Sequence, residues 1–250
     1  MSKWLEGRVL ENRAWTQTLF SLRVQCPALK FDAGQFVRIA LDMERGNAGS
    51  RIARPFSFVN APEDPVLEFY GVIVPEGPLS PLLARLRKGD GLYVADNPSG
   101  FLVLAEVPPA EDLWLLATGT GIAPYLSILR TEVPWQRYRQ VILVHAVRQA
   151  SELVYKEMIL EIQKARKQFK YISFVSREAH SASLAGRIPA AIRDGRLEAA
   201  AGVAIAPERS QFMLCGNPAM LKDAAAELAA RGLRKNRRRT PGHVTVESFW

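Results

Sequence analysis

The chain has 250 residues, a length that corresponds to one large or two small domains. Hydrophobic residues make up 48% of it and charged residues 23%, a composition that excludes a globally disordered protein. Lysine and arginine total 33 against 25 acidic residues, and the net charge of +8 favours polyanionic ligands: nucleic acid, phosphate-bearing cofactors, acidic membranes or an acidic protein.

Cysteine and histidine content limits the covalent and metal chemistry. Two cysteines, Cys26 and Cys215, exclude a disulfide framework and a four-cysteine iron–sulfur cluster. The three histidines are scattered, so we expect no metal site, and a reducing cytoplasm fits this pattern. The first residues lack the apolar segment of a secretion signal. The long uncharged stretch at residues 113–129 contains two glycines and a proline, so we expect a strand, a turn and a helix start there rather than a membrane span.

Short strands are predicted through the first hundred residues. Residues 18–24 and 35–41 alternate apolar and polar side chains, and residues 66–74 are rich in β-branched and aromatic residues. Closely spaced strands of this kind predict an antiparallel barrel or sandwich. One helix interrupts them: Ser80 followed by proline is typical of a helix cap, and leucines at 82, 83 and 86 predict its apolar face.

After about residue 105, strands alternate with helices. The predicted strands are residues 113–117, 141–147, 171–176 and 211–214, and the predicted helices are residues 123–131, 152–168 and 219–231. This alternation predicts a parallel, doubly wound sheet. We therefore expect two domains, residues 1–104 and 105–250, with a pair of prolines at 108 and 109 marking the boundary.

A glycine-rich turn, ATGTGIAP, occupies residues 117–124 between a predicted strand and a predicted helix. Gly119 and Gly121 permit a tight turn, and the amides of the following helix favour an anion such as a pyrophosphate. The third glycine of the usual dinucleotide motif is missing. Phosphate binding and an ordinary strand–helix connection therefore both remain open for this turn.

Arginines follow two of the predicted strands. Arg148 ends the second strand of this half, Ser176 and Arg177 end the third, and Arg187 follows soon after. Guanidinium groups bind phosphate bidentately, so this cluster favours a 2′-phosphate and hence NADP over NAD. The alternative is that they are ordinary surface arginines.

Two further segments carry groups suited to a flat cofactor. Residues 54–60, RPFSFVN, offer an arginine for phosphate, an aromatic ring for stacking and a serine for a ring nitrogen, although taken alone the segment is more typical of an ordinary β-strand. The chain ends in Phe249 and Trp250, which either pack onto the core or cover a planar cofactor.

Together these motifs resemble the ferredoxin/flavodoxin–NADP reductase family, specifically its bacterial branch. The matching pieces are RPFS at 54–57, GPLS at 77–80, ATGTGIAP at 117–124, CGNP at 215–218 and FW at 249–250, in the family's order along nearly the whole chain. The resemblance implies an N-terminal antiparallel β-barrel of six strands that binds FAD and a C-terminal α/β domain, a doubly wound parallel sheet, that binds NADP. The C-terminal tail would return to the flavin.

The resemblance also implies individual roles. FAD would be bound by Arg54, Pro55, Phe56, Ser57, Phe58, Tyr70, Gly71, Val72, Pro78, Leu79, Ser80, Thr120, Phe249 and Trp250. NADP would be bound by Gly119, Gly121, Arg148, Ser176, Arg177, Arg187, Gly216, Asn217 and Pro218. Ser57, Cys215, Glu247 and Phe249 would lie at the reacting centre. Phe56 and Phe249 stand where the family usually has tyrosine, which keeps ring stacking and loses a phenol hydrogen bond.

The implied reaction is hydride transfer between NADPH and FAD followed by one-electron transfer to ferredoxin or flavodoxin. These partners are acidic, and the basic run at residues 234–239 is either part of their docking face or a solvated loop. A monomeric, cytoplasmic enzyme without nucleic-acid or membrane partners is expected. Two alternatives remain: an NADPH-dependent flavin or quinone reductase on the same fold, and a basic nucleic-acid-binding protein.

Overall fold

The computed structural model describes residues 3–42 and 51–248. The first half contributes a sheet of six strands in the order β4-β3-β6-β1-β2-β5, and every pairing in it is antiparallel. The strands are β1 (Trp4–Ala14), β2 (Leu19–Gln25), β3 (Phe36–Asp42), β4 (Arg51–Ser57), β5 (Leu67–Val72) and β6 (Gly91–Ala95). A bridge between Phe58 and Phe69 brings the end of β4 onto β5 and curls the sheet into the predicted barrel.

The helix of the first half is much shorter than its leucines predict. Helix α1 (Ser80–Leu83) is one turn long, and Asn12 of β1 ends it by donating its side-chain amide to the carbonyls of Leu83, Ala84 and Leu86. Ser80 is not its cap, because the Ser80 hydroxyl accepts a hydrogen bond from the Val74 amide. Leu83 is buried but Leu82 is 42% exposed, so the expectation of an apolar face that includes Leu82 is wrong.

The second half forms the expected parallel sheet, in the order β10-β9-β8-β7-β11-β12. Its strands are β7 (Asp112–Thr118), β8 (Gln140–Val147), β9 (Phe169–Val175), β10 (Leu184–Ala185), β11 (Ser210–Gly216) and β12 (Val244–Ser248). Its helices are α2 (Ala123–Leu129), α3 (Val133–Arg137), α4 (Lys156–Ala165), α5 (Ile188–Arg193), α6 (Arg196–Ala201) and α7 (Pro218–Ala230). The chain proceeds outward from β7 to β10 and then returns to β11 on the other side of β7. The strand order therefore reverses between β7 and β11, the place where such sheets bind ligands.

Helix α4 begins later than the predicted residue 152. Residues Ala150–Glu152 form a separate 3-10 turn, in which Gln149 and Glu152 make a reciprocal capping box. Tyr155 then adopts a left-handed backbone conformation with φ of 59°, which interrupts the chain before Lys156. None of the helices within residues 3–42 and 51–248 has the length and apolar character required to cross a bilayer.

The two sheets share a hydrophobic core. Leu19, Val59 and Tyr70 of the barrel pack in one buried cluster with Leu113 and Tyr125 of the second half. Polar contacts add to this junction: the Ser127 hydroxyl donates to the Asn60 carbonyl at 2.7 Å, and the Tyr155 hydroxyl donates to the Glu68 carboxylate at 2.9 Å. The barrel edge formed by β4 and β5 thus lies next to the carboxyl end of β7.

Candidate active site

A cleft of about 400 Å³ opens along the barrel strands β4 and β5 and reaches the turn after β7. It is lined by Arg54, Pro55, Phe56, Ser57, Tyr70, Gly71, Val72, Val74, Gly77, Pro78, Leu79, Ser80, Thr120 and Ala123. The structure therefore brings together most of the residues that the resemblance assigned to FAD. Three lining residues were not assigned to FAD from the sequence. Gly77 and Ala123 stand inside the GPLS and ATGTGIAP motifs without an individual role, and Val74 is an ordinary apolar residue with no signal of its own.

The side chain of Phe58 does not reach this cleft, contrary to the expectation for that residue. Phe58 is fully buried in the barrel, where its ring stacks on Phe31 at 3.8 Å between ring centres and lies 5.4 Å from Phe69. The strand alternation turns it into the core because a large aromatic ring gains more from burial there. Phe249 and Trp250 lie outside the described residues.

Two buried hydroxyl groups lining the cleft have no hydrogen-bond partner among the described residues: those of Ser57 and Tyr70. Burial raises the pKa of Tyr70, so its phenol stays protonated. An unpaired buried hydroxyl costs about 1–3 kcal/mol unless a ligand completes its bonding. The cleft therefore fits a ligand with polar atoms on an otherwise apolar surface.

The aromatic wall of the cleft depends on Gly71. A Cβ on Gly71 would lie 2.8 Å from Cε1 of Phe56 and 3.0 Å from Cζ of Phe20, so only glycine lets the Phe56 ring lie against β5. Phe56 is partly buried and offers a ring to the cleft. Nearby, the exposed Arg54 has no carboxylate within ion-pair distance among the described residues; its Nη1 donates to the Ala53 carbonyl. Its charge is thus available to an anion.

The turns after β7 and β11 interlock where the strand order reverses. The Asn217 amide donates to the Thr118 hydroxyl at 2.8 Å. Gly216 has φ of 130°, and a Cβ there would lie 2.8 Å from the Thr118 carbonyl oxygen. Likewise, a Cβ on Gly121 would lie 2.6 Å from the Cys215 carbonyl oxygen. These close main-chain approaches hold the two turns together at the switch point. Sheets of this kind bind ligands at that point, which favours the ligand-binding interpretation of the glycine turn.

Asn217 and Pro218 start helix α7. The Asn217 side chain accepts hydrogen bonds from the amides of Ala219 and Met220, and Pro218 occupies the first helical position. The amide side chain of Asn217 is therefore used as a cap, and the residue shapes the site through its main chain.

His145 supports the glycine turn from beneath and was missed as a site residue. It is fully buried, and its Nε2 lies 3.0 Å from the carbonyl oxygen of Gly119. Burial lowers the pKa of His145 to about 4, so the ring is neutral. Because a carbonyl only accepts, Nε2 carries the proton. The one available signal was a single polar residue inside the apolar strand VILVHAV.

The predicted arginines lie at one edge of the sheet. The Ser176 amide donates to the Val147 carbonyl and the Arg177 amide donates to the Arg148 carbonyl, which continues the pairing of β8 with β9. Strand β10, paired with β9 at Ala185 opposite Val175, brings Arg187 to the same edge. All three arginines are exposed, and none has a carboxylate within ion-pair distance among the described residues. This is a cationic edge with room for a phosphate.

Ser176 is placed differently from the expectation. Its hydroxyl donates to the Val147 carbonyl at 3.1 Å, so its proton already has an acceptor. At this edge Ser176 therefore offers its hydroxyl oxygen and its main chain, while the hydroxyl proton is bonded to Val147.

Cys215 and Glu247 face each other across β11 and β12, where they are register partners. The Oε1 atom of Glu247 accepts from the Phe101 amide at 3.2 Å, whereas Oε2 is buried and unpartnered among the described residues. Burial raises the pKa of Glu247 to about 7, against the effect of the Phe101 and Leu102 amides. Burial and Glu247 also raise the pKa of the Cys215 thiol. Glu247 can therefore hold or release a proton near neutral pH, whereas the Cys215 thiol stays protonated.

Comparisons with known proteins agree with this geometry. The family model for the oxidoreductase NAD-binding domain matches residues 115–226. The chain is 45% identical to the flavodoxin/ferredoxin–NADP reductase of Escherichia coli (strain K12), with 100% of both chains covered. It is 35% identical to the ferredoxin–NADP reductase of Pseudomonas aeruginosa, covering 99% of this chain and 98% of that one. A ferredoxin NADP+ reductase from Neisseria gonorrhoeae, solved with bound FAD and NADP, is 32% identical and superposes with a TM-score of 0.94 over 100% of both chains.

Proposed function

The chain belongs to the flavodoxin/ferredoxin–NADP reductase family, and from this premise we propose how its own residues bind FAD, bind NADP(H) and meet the electron acceptor. It is an oxidoreductase that transfers electrons between NADPH and ferredoxin or flavodoxin. FAD, when bound, supplies the capacity to accept a hydride and to release electrons one at a time.

The barrel cleft is assigned to FAD, and the unpartnered Ser57 hydroxyl in it is the observation that carries the assignment. Ser57 supplies a hydrogen bond to the polar edge of the flavin, and Phe56 supplies the stacking surface. Arg54 neutralises the pyrophosphate. The Ser80 hydroxyl accepts from Val74 and keeps its own proton for a phosphate oxygen, whereas Leu79 is buried and contributes main-chain atoms.

The interlocked turns and the cationic edge are assigned to NADP(H). Gly119, where a Cβ would meet nothing within 4 Å, leaves the turn open to the dinucleotide, whereas Gly121 and Gly216 hold the two turns in main-chain contact and so shape the site. Arg148, Arg177 and Arg187 bind the 2′-phosphate, and their lack of acidic partners among the described residues supports this role.

Glu247 and Cys215 are assigned to the reacting centre. Cys215 stays neutral and packs beside the position for the nicotinamide, so no negative thiolate opposes hydride movement. Glu247 holds or releases a proton at Oε2 in the neutral range. Thr120 lies between the barrel cleft and the switch point and orients the two ligands. Phe249, from the tail beyond β12, is assigned to cover the flavin and to yield to the nicotinamide.

An acidic electron carrier is proposed to dock on the basic segment, defined as residues 234–239. Its Arg234, Lys235, Arg237 and Arg239 are exposed and lack carboxylate partners among the described residues, while Arg238 pairs with Glu106 at 3.0 Å. Arg238 also lies over the ring of Phe101, whose amide binds Glu247. The segment is thus adjacent to the proposed reacting centre, which supports electron delivery there.

The test is an anaerobic titration of the FAD-loaded protein with NADPH and, separately, with NADH, followed by the flavin absorbance. Bleaching at low NADPH with a much weaker response to NADH is the expected result, because only NADPH carries the 2′-phosphate. Equal responses would remove the assignment of the arginines. Rapid reduction of free flavins or quinones with no reduction of ferredoxin or flavodoxin would instead support the alternative acceptor class.

A monomeric, cytoplasmic enzyme completes the proposal. Both cysteines are unpaired, Cys215 buried and Cys26 partly buried, as suits a reducing compartment. Size-exclusion chromatography with light scattering tests the oligomeric state, and a tagged copy followed by cell fractionation tests the location.

A further inference from the structure

The loop that joins β9 to β10 reverses the direction of the chain within a few residues. The two strands are parallel, yet only residues 176–183 connect them, and they must travel back from the arginine edge to the level of Ser173. The chain then runs forward through β10 and delivers Arg187 to the edge. Strand β10 is two residues long and lies at the margin of the sheet, so its main-chain pairing alone is a weak anchor.

A chain of side-chain hydrogen bonds supports this return. The Ser183 hydroxyl lies 2.7 Å from the Ser173 hydroxyl on β9 and 2.8 Å from Nδ1 of His180. The Ser183 amide also donates to the His180 carbonyl, which closes the turn. At the other end of β10, Arg196 donates to the Ala185 carbonyl at 3.0 Å.

The bonding of Ser183 is satisfied whether Nδ1 of His180 accepts or donates a hydrogen bond. If Nδ1 is bare, Ser173 donates to Ser183 and Ser183 donates to His180. If Nδ1 carries a proton, His180 donates to Ser183, Ser183 donates to Ser173, and Ser173 donates to the Ala182 carbonyl, which lies 3.5 Å away. The network therefore keeps Ser183 tied to β9 in either arrangement of the protons.

We propose that Ser183 is a positioning residue for the 2′-phosphate of NADP(H), acting through the hydrogen bonds that hold the loop between Arg177 and Arg187. This inference rests on the proposed assignment of those arginines. Ser183 itself does not touch the nucleotide. Its hydroxyl restricts the loop of residues 176–183. The guanidinium groups of Arg177 and Arg187 can then bind the phosphate without losing further conformational entropy. The preference for NADP(H) over NAD(H) therefore depends on a serine outside the phosphate contacts.

The test compares Ser183→Ala with Ser181→Ala in the FAD-loaded enzyme. Ser181 is an exposed serine of the same loop with no hydrogen bond among the described residues, so it is a matched control. Calorimetric titration with adenosine 2′,5′-bisphosphate and with 5′-AMP separates phosphate binding from adenine binding. We expect Ser183→Ala to weaken bisphosphate binding about three- to tenfold and to leave 5′-AMP binding unchanged, because one hydrogen bond is lost from the loop. Ser183→Thr, which keeps the hydroxyl, should restore most of the affinity.

Arg187→Ala distinguishes a failure of the Ser183 positioning role from a failure of the phosphate site itself. If Arg187→Ala weakens bisphosphate binding and Ser183→Ala does not, the positioning role is overturned while the phosphate site stands. If neither variant changes it, the phosphate assignment is overturned and the inference is overturned with it. Equal weakening by Ser181→Ala and Ser183→Ala would also overturn the role, because the effect would then come from the loop and not from this hydrogen-bond chain.

Discussion

At the residue scale, the site contains buried polar groups without hydrogen-bond partners, which folded proteins normally avoid. Ser57 and Tyr70 keep unpartnered hydroxyls, and Glu247 keeps an unpartnered carboxyl oxygen among the described residues. Such groups cost folding free energy in the absence of a ligand. Ser57 and Tyr70 line the cleft, so a ligand bound there can complete the hydrogen bonding of their hydroxyl groups.

Glu247 leads to a prediction about stability and pH. Its pKa is about 7 in the folded protein, above its ordinary value of 4.5, because of burial. Above pH 4.5 the unfolded chain loses this proton before the folded chain does, so the carboxyl costs stability progressively between pH 4.5 and 7. We expect Glu247→Gln to remove that part of the pH dependence. Urea unfolding at pH 5 and pH 7.5 should show that the free energy of unfolding of the variant, relative to that of the wild type, is greater at pH 7.5. The same difference at both pH values would contradict the shifted pKa.

At the element scale, the site residues that were easiest to predict from the sequence are those at the ends of parallel strands. Residues that follow β8 and β9 must meet at one edge because parallel strands end on the same side, which is why the arginine cluster was predictable from spacing. His145, by contrast, acts through a carbonyl that folding brings to it, and nothing local signals that contact. Helix bounds were predicted less well than strands: α1 is ended by Asn12, some seventy residues earlier, and α4 starts late because of Tyr155.

The interlock between the turns after β7 and β11 gives a second prediction. Gly216→Ala must place a Cβ against the Thr118 main chain at a φ of 130°, so we expect it to lower the free energy of unfolding by about 1–3 kcal/mol and to weaken NADP+ binding. Gly91→Ala is the control, since a Cβ there meets nothing within 4 Å. Urea midpoints and a flavin difference titration measure the two effects. Similar behaviour of both variants would mean that the interlock adapts easily.

At the scale of the whole molecule, the excess of positive charge has a use at the proposed docking face. Association of a basic face with an acidic carrier is accelerated by long-range attraction, which added salt screens. Family membership identifies the activity as that of an oxidoreductase, so the nucleic-acid-binding interpretation of the charge is not needed. The class of each sheet, antiparallel then parallel, followed from the sequence pattern. The strand order, the strands β1, β6, β10 and β12, and the packing of barrel on sheet did not, because they depend on contacts between distant residues.

Charge reversal tests this docking face. We expect Arg237→Glu with Arg239→Glu to slow reduction of ferredoxin or flavodoxin at least tenfold at low salt and to flatten its salt dependence, with NADPH-driven reduction of a small neutral acceptor unchanged. Lys164→Glu with Lys167→Glu makes the same change in net charge on and just beyond α4. This helix packs against β9, which is separated from β12 by the three strands β8, β7 and β11. Stopped-flow rates across a salt series compare the pairs. If both pairs slow the carrier equally, net charge governs the encounter and the basic segment is not a specific face.

The core shared by the barrel and the parallel sheet limits how this enzyme can be recombined. Leu19, Val59 and Tyr70 of the barrel, together with Leu102 and Leu104 at the end of the first half, pack in one cluster with residues of the nucleotide-binding half such as Leu113 and Tyr125. If one half were replaced by that of a distant relative, its ligand contacts would be kept, but its apolar surface would not fit the shared core. Chimeras of this chain should therefore fold stably only when the residues on both sides of this shared core are transplanted together, which the urea midpoints of chimeras with and without the matched core residues would show.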